Sequence, residues 1–191
     1  MGMFATNPAG IFGETAQISA AERDAMLQAE VMALFDELRG RLLRYAMSFG
    51  LSLHDGEDVL QEVFLALFRH LQAEKSRENL PGWSFRTTHN LALKRRASLH
   101  AEYRVAVVED DGMPDVCDEA PGPEDRLLFR ERQLRLRSVM KALPETDQMC
   151  LRLRAEGCRY REISTTLGIS LGSVAASLAK SFARLERMDA R

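Results

Sequence analysis

Trp83, Phe85, Arg86, His89, Asn90, Lys94, Arg95 and Arg96 fall within fourteen residues of one another. Aromatic rings can stack on unpaired bases, an Asn amide can read a base edge, and Arg or Lys can hold phosphates. Arg86, His89 and Asn90 recur at three-to-four spacing, so on a helix they share one face. The same residues have a plainer reading. Trp83 and Phe85 can be core, and Lys94-Arg95-Arg96 can be the basic end that complements a helix dipole.

A second group lies at 159–187. Tyr160, Ile163 and Leu167 mark a short helix. Gly168 suits a left-handed cap and Ser170 an N-cap. Leu171, Val174, Leu178, Phe182 and Leu185 form the expected buried stripe of the next helix. Two short helices across a Gly-containing turn make a helix-turn-helix, whose second helix can enter the major groove of DNA. Its outer face would show Ser173, Ser177, Lys180, Arg184 and Arg187. The alternative is an ordinary helical hairpin.

A third group is Asp58, Gln61, Glu62 and Leu65, set off the inward stripe of Leu60, Val63, Phe64, Leu67 and Phe68. An exposed Leu among fixed polar groups suits a protein contact. It is equally compatible with a solvated face and one stray Leu.

Enzyme chemistry finds no support. His54, His70, His89 and His100 lack metal-ligand spacing, and there is no Gly-rich phosphate loop or nucleophile motif. Cys117, Cys150 and Cys158 are odd in number and form no C-x-x-C pair. We therefore expect no metal, no cofactor, no disulfide framework, and a reducing cytoplasm.

These groups need rigid helices to carry them. Leu34, Phe35, Leu38, Leu42, Tyr45, Ala46 and Phe49 repeat at helical spacing, with Gly50 as a stop. A second helix carries the 60–71 stripe, with Asp55, Glu57 and Asp58 in its first turn. A third is expected from Trp83 to about Leu99. Helix returns from about Glu124 to Leu143. A further helix, with Pro144 at its first position, brings Met149, Cys150 and Leu153 inward and stops at Gly157. No segment alternates with the period of a strand, and no apolar run approaches the roughly 20 residues that span a bilayer.

The net charge of −2 hides an asymmetry. Residues 1–99 carry 11 basic and 12 acidic side chains, residues 100–125 carry 1 and 9, and residues 126–191 carry 14 and 7. A basic C-terminal part points to a polyanion partner. The acidic middle contains Pro114, Pro121 and Pro123 and reads as a linker. The fold class is therefore all-α. A flexible leader occupies 1–20, one helical domain 21–104, the acidic linker 105–123, and a helix-turn-helix domain 124–191.

Taken together these segments resemble an extracytoplasmic-function (ECF) sigma factor of bacterial RNA polymerase. Leu43-Arg44-Tyr45-Ala46, Asp58-Val59-Leu60-Gln61-Glu62-Val63-Phe64-Leu65 and Trp83-x-Phe85-Arg86-x-x-His89-Asn90-Leu91 resemble sigma region 2. Leu143-Pro144-Glu145-Thr146, Leu151-Arg152-Leu153-Arg154-Ala155-Glu156-Gly157, Tyr160-x-Glu162-Ile163 and Leu167-Gly168-Ile169-Ser170-x-Gly172-Ser173-Val174 resemble sigma region 4.

The resemblance implies core RNA polymerase and promoter DNA as partners, an anti-sigma factor as a further one, and a monomer on the polymerase. It implies polymerase contact at Asp58, Gln61, Glu62 and Leu65. It implies minus-ten recognition by Arg86, His89, Asn90 and the 73–81 loop, with a base flipped into that loop. Lys94, Arg95 and Arg96 would hold phosphates. Ser173, Ser177, Lys180 and Arg184 would face the minus-thirty-five element. One departure stands out: family members usually place Lys or Arg near 175–177, where this chain has Ala175, Ala176 and Ser177. Small side chains can touch a thymine methyl but cannot grip guanine. Two other readings remain at this point. One is a DNA-binding regulator that is not a sigma factor; the other is a helical adaptor that sequesters an anti-sigma factor.

Overall fold

The computed structural model describes residues 20–103 and 133–189, and every regular element among them is a helix. The expected leader and acidic linker lie outside the described residues, as does Cys117. Three long helices come first: α1 (Ala20–Met47), α2 (Leu53–Gln72) and α3 (Leu80–Tyr103). A helical run over 133–141, here α4, follows. Three shorter helices complete the chain: α5 (Glu145–Ala155), α6 (Tyr160–Leu167) and α7 (Leu171–Asp189).

Helices α1, α2 and α3 pack on one another as one bundle, and α5, α6 and α7 as a second. In the first, Leu38, Leu42, Val63, Leu67 and Leu71 are almost wholly buried. Phe35 meets Phe64 edge-on at 4.9 Å. Each such buried side chain contributes about 1.5–3 kcal/mol. Exposed ion pairs contribute about 0–1 kcal/mol each. The apolar stripes therefore decide how these helices pack. In the second bundle Leu153, Ile163, Val174 and Leu178 form the centre, with Cys150 fully buried among them.

The starts and stops follow local chemistry. Ser52 caps α2 by accepting the Asp55 amide at 3.1 Å. Helix α3 begins three residues before the expected Trp83. Pro81 fits its first turn, where no intrahelical N–H is needed, and the Asn79 side chain accepts the Gly82 amide at 3.2 Å. Pro144 is the residue before α5, with extended backbone, and the helix begins at Glu145. Gly168 takes the left-handed conformation at φ 67° that closes α6, and Ser170 accepts the Ser173 amide at 3.0 Å to open α7.

Among the described residues no helix is long and apolar enough to cross a membrane. No group of three His, Cys, Asp or Glu residues among them could hold a metal ion.

Candidate nucleic-acid interface

Helix α2 presents a sharp division of faces. Val59, Leu60, Val63, Phe64, Leu67 and Leu71 turn inward, while Gln61, Glu62 and Leu65 are exposed and Asp58 is half-buried. Leu65 keeps 48% of its surface in solvent, a large apolar group with no internal use for it. Asp58 lies 3.8 Å from His54 one turn earlier. The four residues expected on one surface are thus together on it.

The α2–α3 loop is held open. Residues 73–79 are all exposed. Glu74 and Asn79 adopt left-handed backbone at φ 51° and 52°. His70 Nε2 stands 2.8 Å from the Ser76 carbonyl, and the Arg77 guanidinium lies 3.4 Å from Glu30 on α1. Trp83 stacks obliquely on His70 at 4.9 Å, anchoring the start of α3 beside the loop.

On α3 the sequence expectation divides. Arg86, Asn90 and Lys94 are exposed at successive four-residue steps and form one polar line. His89 does not join them. It is 9% exposed, its Nδ1 lies 2.9 Å from the Tyr45 hydroxyl, and Phe49 meets its ring edge-on at 5.5 Å. Burial, and then the Arg96 charge, hold its imidazole below the ordinary value. Burial pushes the Tyr45 phenol well up, so Tyr45 keeps its proton and can donate to an unprotonated His89 Nδ1. Three-to-four spacing placed His89 beside Arg86, but it equally places His89 beside Phe85 and Ala92, both buried, and the partner on α1 decides.

Arg95 is also committed to a partner, although its side chain stays 40% exposed. Its Nη2 and Nε lie 2.6 and 2.9 Å from Asp55 Oδ1. Asp55 is held below the usual carboxylate range, first by the Ser52 hydroxyl and also by Arg95. The pair ties α3 to the start of α2, so Arg95 has a structural contact beside the phosphate-holding role expected of it. Arg96 reaches across to the second bundle and donates to Glu145 at 3.0 Å.

The helix-turn-helix is formed by α6 and α7, but the buried stripe of α7 is rotated from the expected one. Val174, Ser177, Leu178 and Ser181 are buried, whereas Leu171 and Phe182 are 46% and 41% exposed. Ser177 therefore leaves the outer face and lies against Cys150 of α5. Its small volume lets the two helices approach, a use that an apolar-only stripe does not register. Ser173, Ala175, Ala176, Ala179, Lys180, Arg184 and Arg187 remain outside. Lys180 is 4.0 Å from Asp147, and Arg184 donates to the Ala142 carbonyl at 3.2 Å.

Four residues missed by the sequence reading join the bundles: Arg41, Arg44, Glu145 and Glu156. Arg44 grips both Glu156 carboxylate oxygens, at 3.1 and 2.8 Å. Arg41 donates Nε to the Glu156 carbonyl at 2.8 Å and lies over the Phe85 ring at 5.2 Å. Gly157, at φ 83°, leaves room for that guanidinium, since an added Cβ would stand 3.3 Å from Arg41 Nη2. Nothing in local periodicity signals these contacts, because both partners are ordinary surface charges on their own elements.

Residues 34–101 match the family model Sigma-70 region 2, and residues 133–185 match Sigma-70, region 4. The chain is 33% identical to the ECF RNA polymerase sigma factor SigE of Mycolicibacterium smegmatis, over 79% of this chain and 60% of that protein. It is 28% identical to SigL of Mycobacterium tuberculosis, over 85% and 89%. It is 29% identical to ShbA of Streptomyces griseus, over 88% and 91%. Among solved structures it is similar to CnrH in complex with the cytosolic domain of CnrY, at TM-score 0.56 and 22% identity, covering 88% of this chain and 93% of that one. It is also similar to the sigma factor RpoE bound to the anti-sigma factor NepR from Bartonella quintana, at TM-score 0.56 and 16% identity, covering 82% and 96%.

Proposed function

The chain belongs to the ECF sigma factors of the sigma-70 family, and we propose that it binds core RNA polymerase, recognises promoter minus-ten and minus-thirty-five elements, and initiates transcription. The observation that carries this is the pairing, on one chain, of the exposed Gln61–Glu62–Leu65 face and exposed 73–79 loop with a separate helix-turn-helix.

In this reading polymerase meets Asp58, Gln61, Glu62 and Leu65 of α2. The exposed 73–79 loop receives a flipped base, and the Arg86–Asn90–Lys94 line holds the unpaired strand beside it. Strand capture is what makes melting favourable, because unpaired bases gain stacking and charge contacts that the duplex cannot offer. Helix α7 meets the minus-thirty-five duplex through Ser173, Ala175, Ala176, Lys180 and Arg184. With no Arg or Lys at 175–177, its base reading rests on apolar contact and groove shape, and its cations act on phosphates. The chain acts by binding rather than by catalysis, in the cytoplasm with the polymerase. An anti-sigma factor is the natural regulatory partner, since the similar sigma factor RpoE is solved in complex with the anti-sigma factor NepR.

A run-off transcription assay with core polymerase tests the proposal. Transcripts from a subset of promoters, absent without this chain, are the expected result. DNA binding with no transcript on any promoter would overturn it.

A further inference from the structure

The loop between α2 and α3 is held from three sides. His70, in the last turn of α2, donates Nε2 to the Ser76 carbonyl at 2.8 Å and lies against the Trp83 ring. On the α3 side, the Asn79 side chain accepts the Gly82 amide. A Cβ at Gly82 would collide with that side chain, so glycine is what permits the closure. The third side is α1, where Glu30 meets Arg77 at 3.4 Å.

Glu30 belongs to a part of α1 that precedes the region 2 match, which begins at residue 34. Antiparallel packing carries that part up to the loop. Arg39 meets Glu57 at 3.6 Å, Phe35 meets Phe64 at 4.9 Å, and Glu30 reaches Arg77 beyond the end of α2. Leu27, 7% exposed, seats this stretch on the core, with Val31 and Leu34 half-buried beside it at helical spacing.

We propose that Glu30 is a positioning residue for promoter recognition: by holding Arg77 it fixes the 73–79 loop in the conformation that takes up the flipped minus-ten base. The inference rests on the reading of that loop as the base-reading element. Glu74 and Asn79 hold left-handed backbone at φ 51° and 52°, which residues other than glycine keep only where their surroundings enforce it. The ties to α2 and α3 run through Glu74, Lys75, Ser76 and Asn79. Arg77 stands among these ties, and Glu30 holds it from a third direction. Released, the Arg77 guanidinium would take any phosphate within reach, adding affinity without sequence preference. The pair is partly wet, with Arg77 60% and Glu30 32% exposed, so it adds little to the stability of the fold. Loops lie at the low end of local stability, where one such pair is enough to shift the population.

The test compares Glu30→Gln, the swap Glu30→Arg with Arg77→Glu, and a control, Glu37→Gln, which removes the same charge from the exposed face of α1. Hydrogen exchange is followed in the full chain at the Lys75 and Glu78 amides, both hydrogen-bonded within the loop region. Run-off transcription by the holoenzyme is measured on promoters changed one base at a time through both elements. Glu30→Gln is expected to speed exchange and to lower discrimination at one minus-ten base, each by about two- to fivefold, the shift that one exposed pair supplies. Minus-thirty-five discrimination and the melting temperature should stay at the control's values, and the swap should restore both loop readouts. A swap that weakens every promoter alike would make Arg77 a phosphate contact and overturn the proposal, as would exchange in Glu30→Gln no faster than in the control. A wild-type holoenzyme with no preference at any minus-ten base would strike the loop's base-reading role instead, and the exchange result alone then decides whether Glu30 holds the loop.

Discussion

Tyr45 and His89 stand 44 residues apart in the chain and meet in a 2.9 Å hydrogen bond beneath the junction of the two bundles. Their rings lie nearly parallel, 19° apart, with Phe49 and Phe85 edge-on to Tyr45. A polar pair inside an aromatic cluster is favourable only while donor and acceptor match, since a buried group without its partner loses its hydration for nothing.

That match depends on pH. His89 accepts through Nδ1 only while neutral. Its facing charges are Arg96, which opposes protonation, and Glu145, which favours it. Because its folded value is lowered, the unfolded chain takes up the proton first, near about pH 6.5. Stability is fully present above that value and falls as pH drops through it toward the folded value. The melting temperature should decline between about pH 7.5 and about pH 5.5, and the decline should be shallower in His89→Gln. Equal slopes in the two proteins would show that His89 does not titrate on unfolding.

Arg95 is expected to behave as a structural residue. Arg95→Ala leaves the buried Asp55 carboxylate without its guanidinium, and should cost about 1–2 kcal/mol in denaturant unfolding. Asp55, with its lowered value, contributes stability above about pH 3.9 that is lost as pH falls through the folded value; the variant should lose part of that acid dependence. A normal melt combined with a flattened salt dependence of DNA binding would instead return Arg95 to the phosphate contacts.

Gln61→Ala with Leu65→Ala should weaken co-purification with core polymerase while leaving the melting temperature nearly unchanged. Both side chains point to solvent, where substitutions usually move stability by no more than about 0.5 kcal/mol. Undiminished polymerase binding would remove α2 as the docking face.

Asn90→Ala and Lys94→Ala should separate on a panel of minus-ten variants. Asn90→Ala should lose discrimination at one base, worth about 1–3 kcal/mol. Lys94→Ala should weaken every sequence alike and reduce the salt slope by about one. A uniform loss from both would deny Asn90 a base-reading role.

Cys150 and Cys158 should be inert in the folded chain. Both are buried, and burial raises both thiols, Cys158 to about 12, so little thiolate exists to react. In a Cys117→Ser background, thiol labelling should be slow until denaturant is added. Rapid labelling of Cys158 in native buffer would mean that the junction beside Tyr45 is already open.

Much of this architecture is local. Helix period placed Leu60, Val63, Phe64 and Leu67 inside and Gln61, Glu62 and Leu65 outside. Gly168 and Ser170 set the turn between α6 and α7, and the helix-turn-helix followed. These are properties of neighbours in sequence, where backbone geometry and apolar spacing suffice. Tertiary contacts decided the rest. His89 went inward because Tyr45 could satisfy it, and Arg95 was tied across α3 because Asp55 waited in the first turn of α2. Ser177 was buried because α7 needed a small side chain against α5. Arg41, Arg44, Glu145 and Glu156 read as surface charges until the packing of the two bundles brought Arg41 and Arg44 to Glu156 and Arg96 to Glu145. A polar side chain can be solvated, or it can be paired inside the protein. Only the identity of the group facing it distinguishes the two, and that group lies anywhere from 27 to 115 residues away.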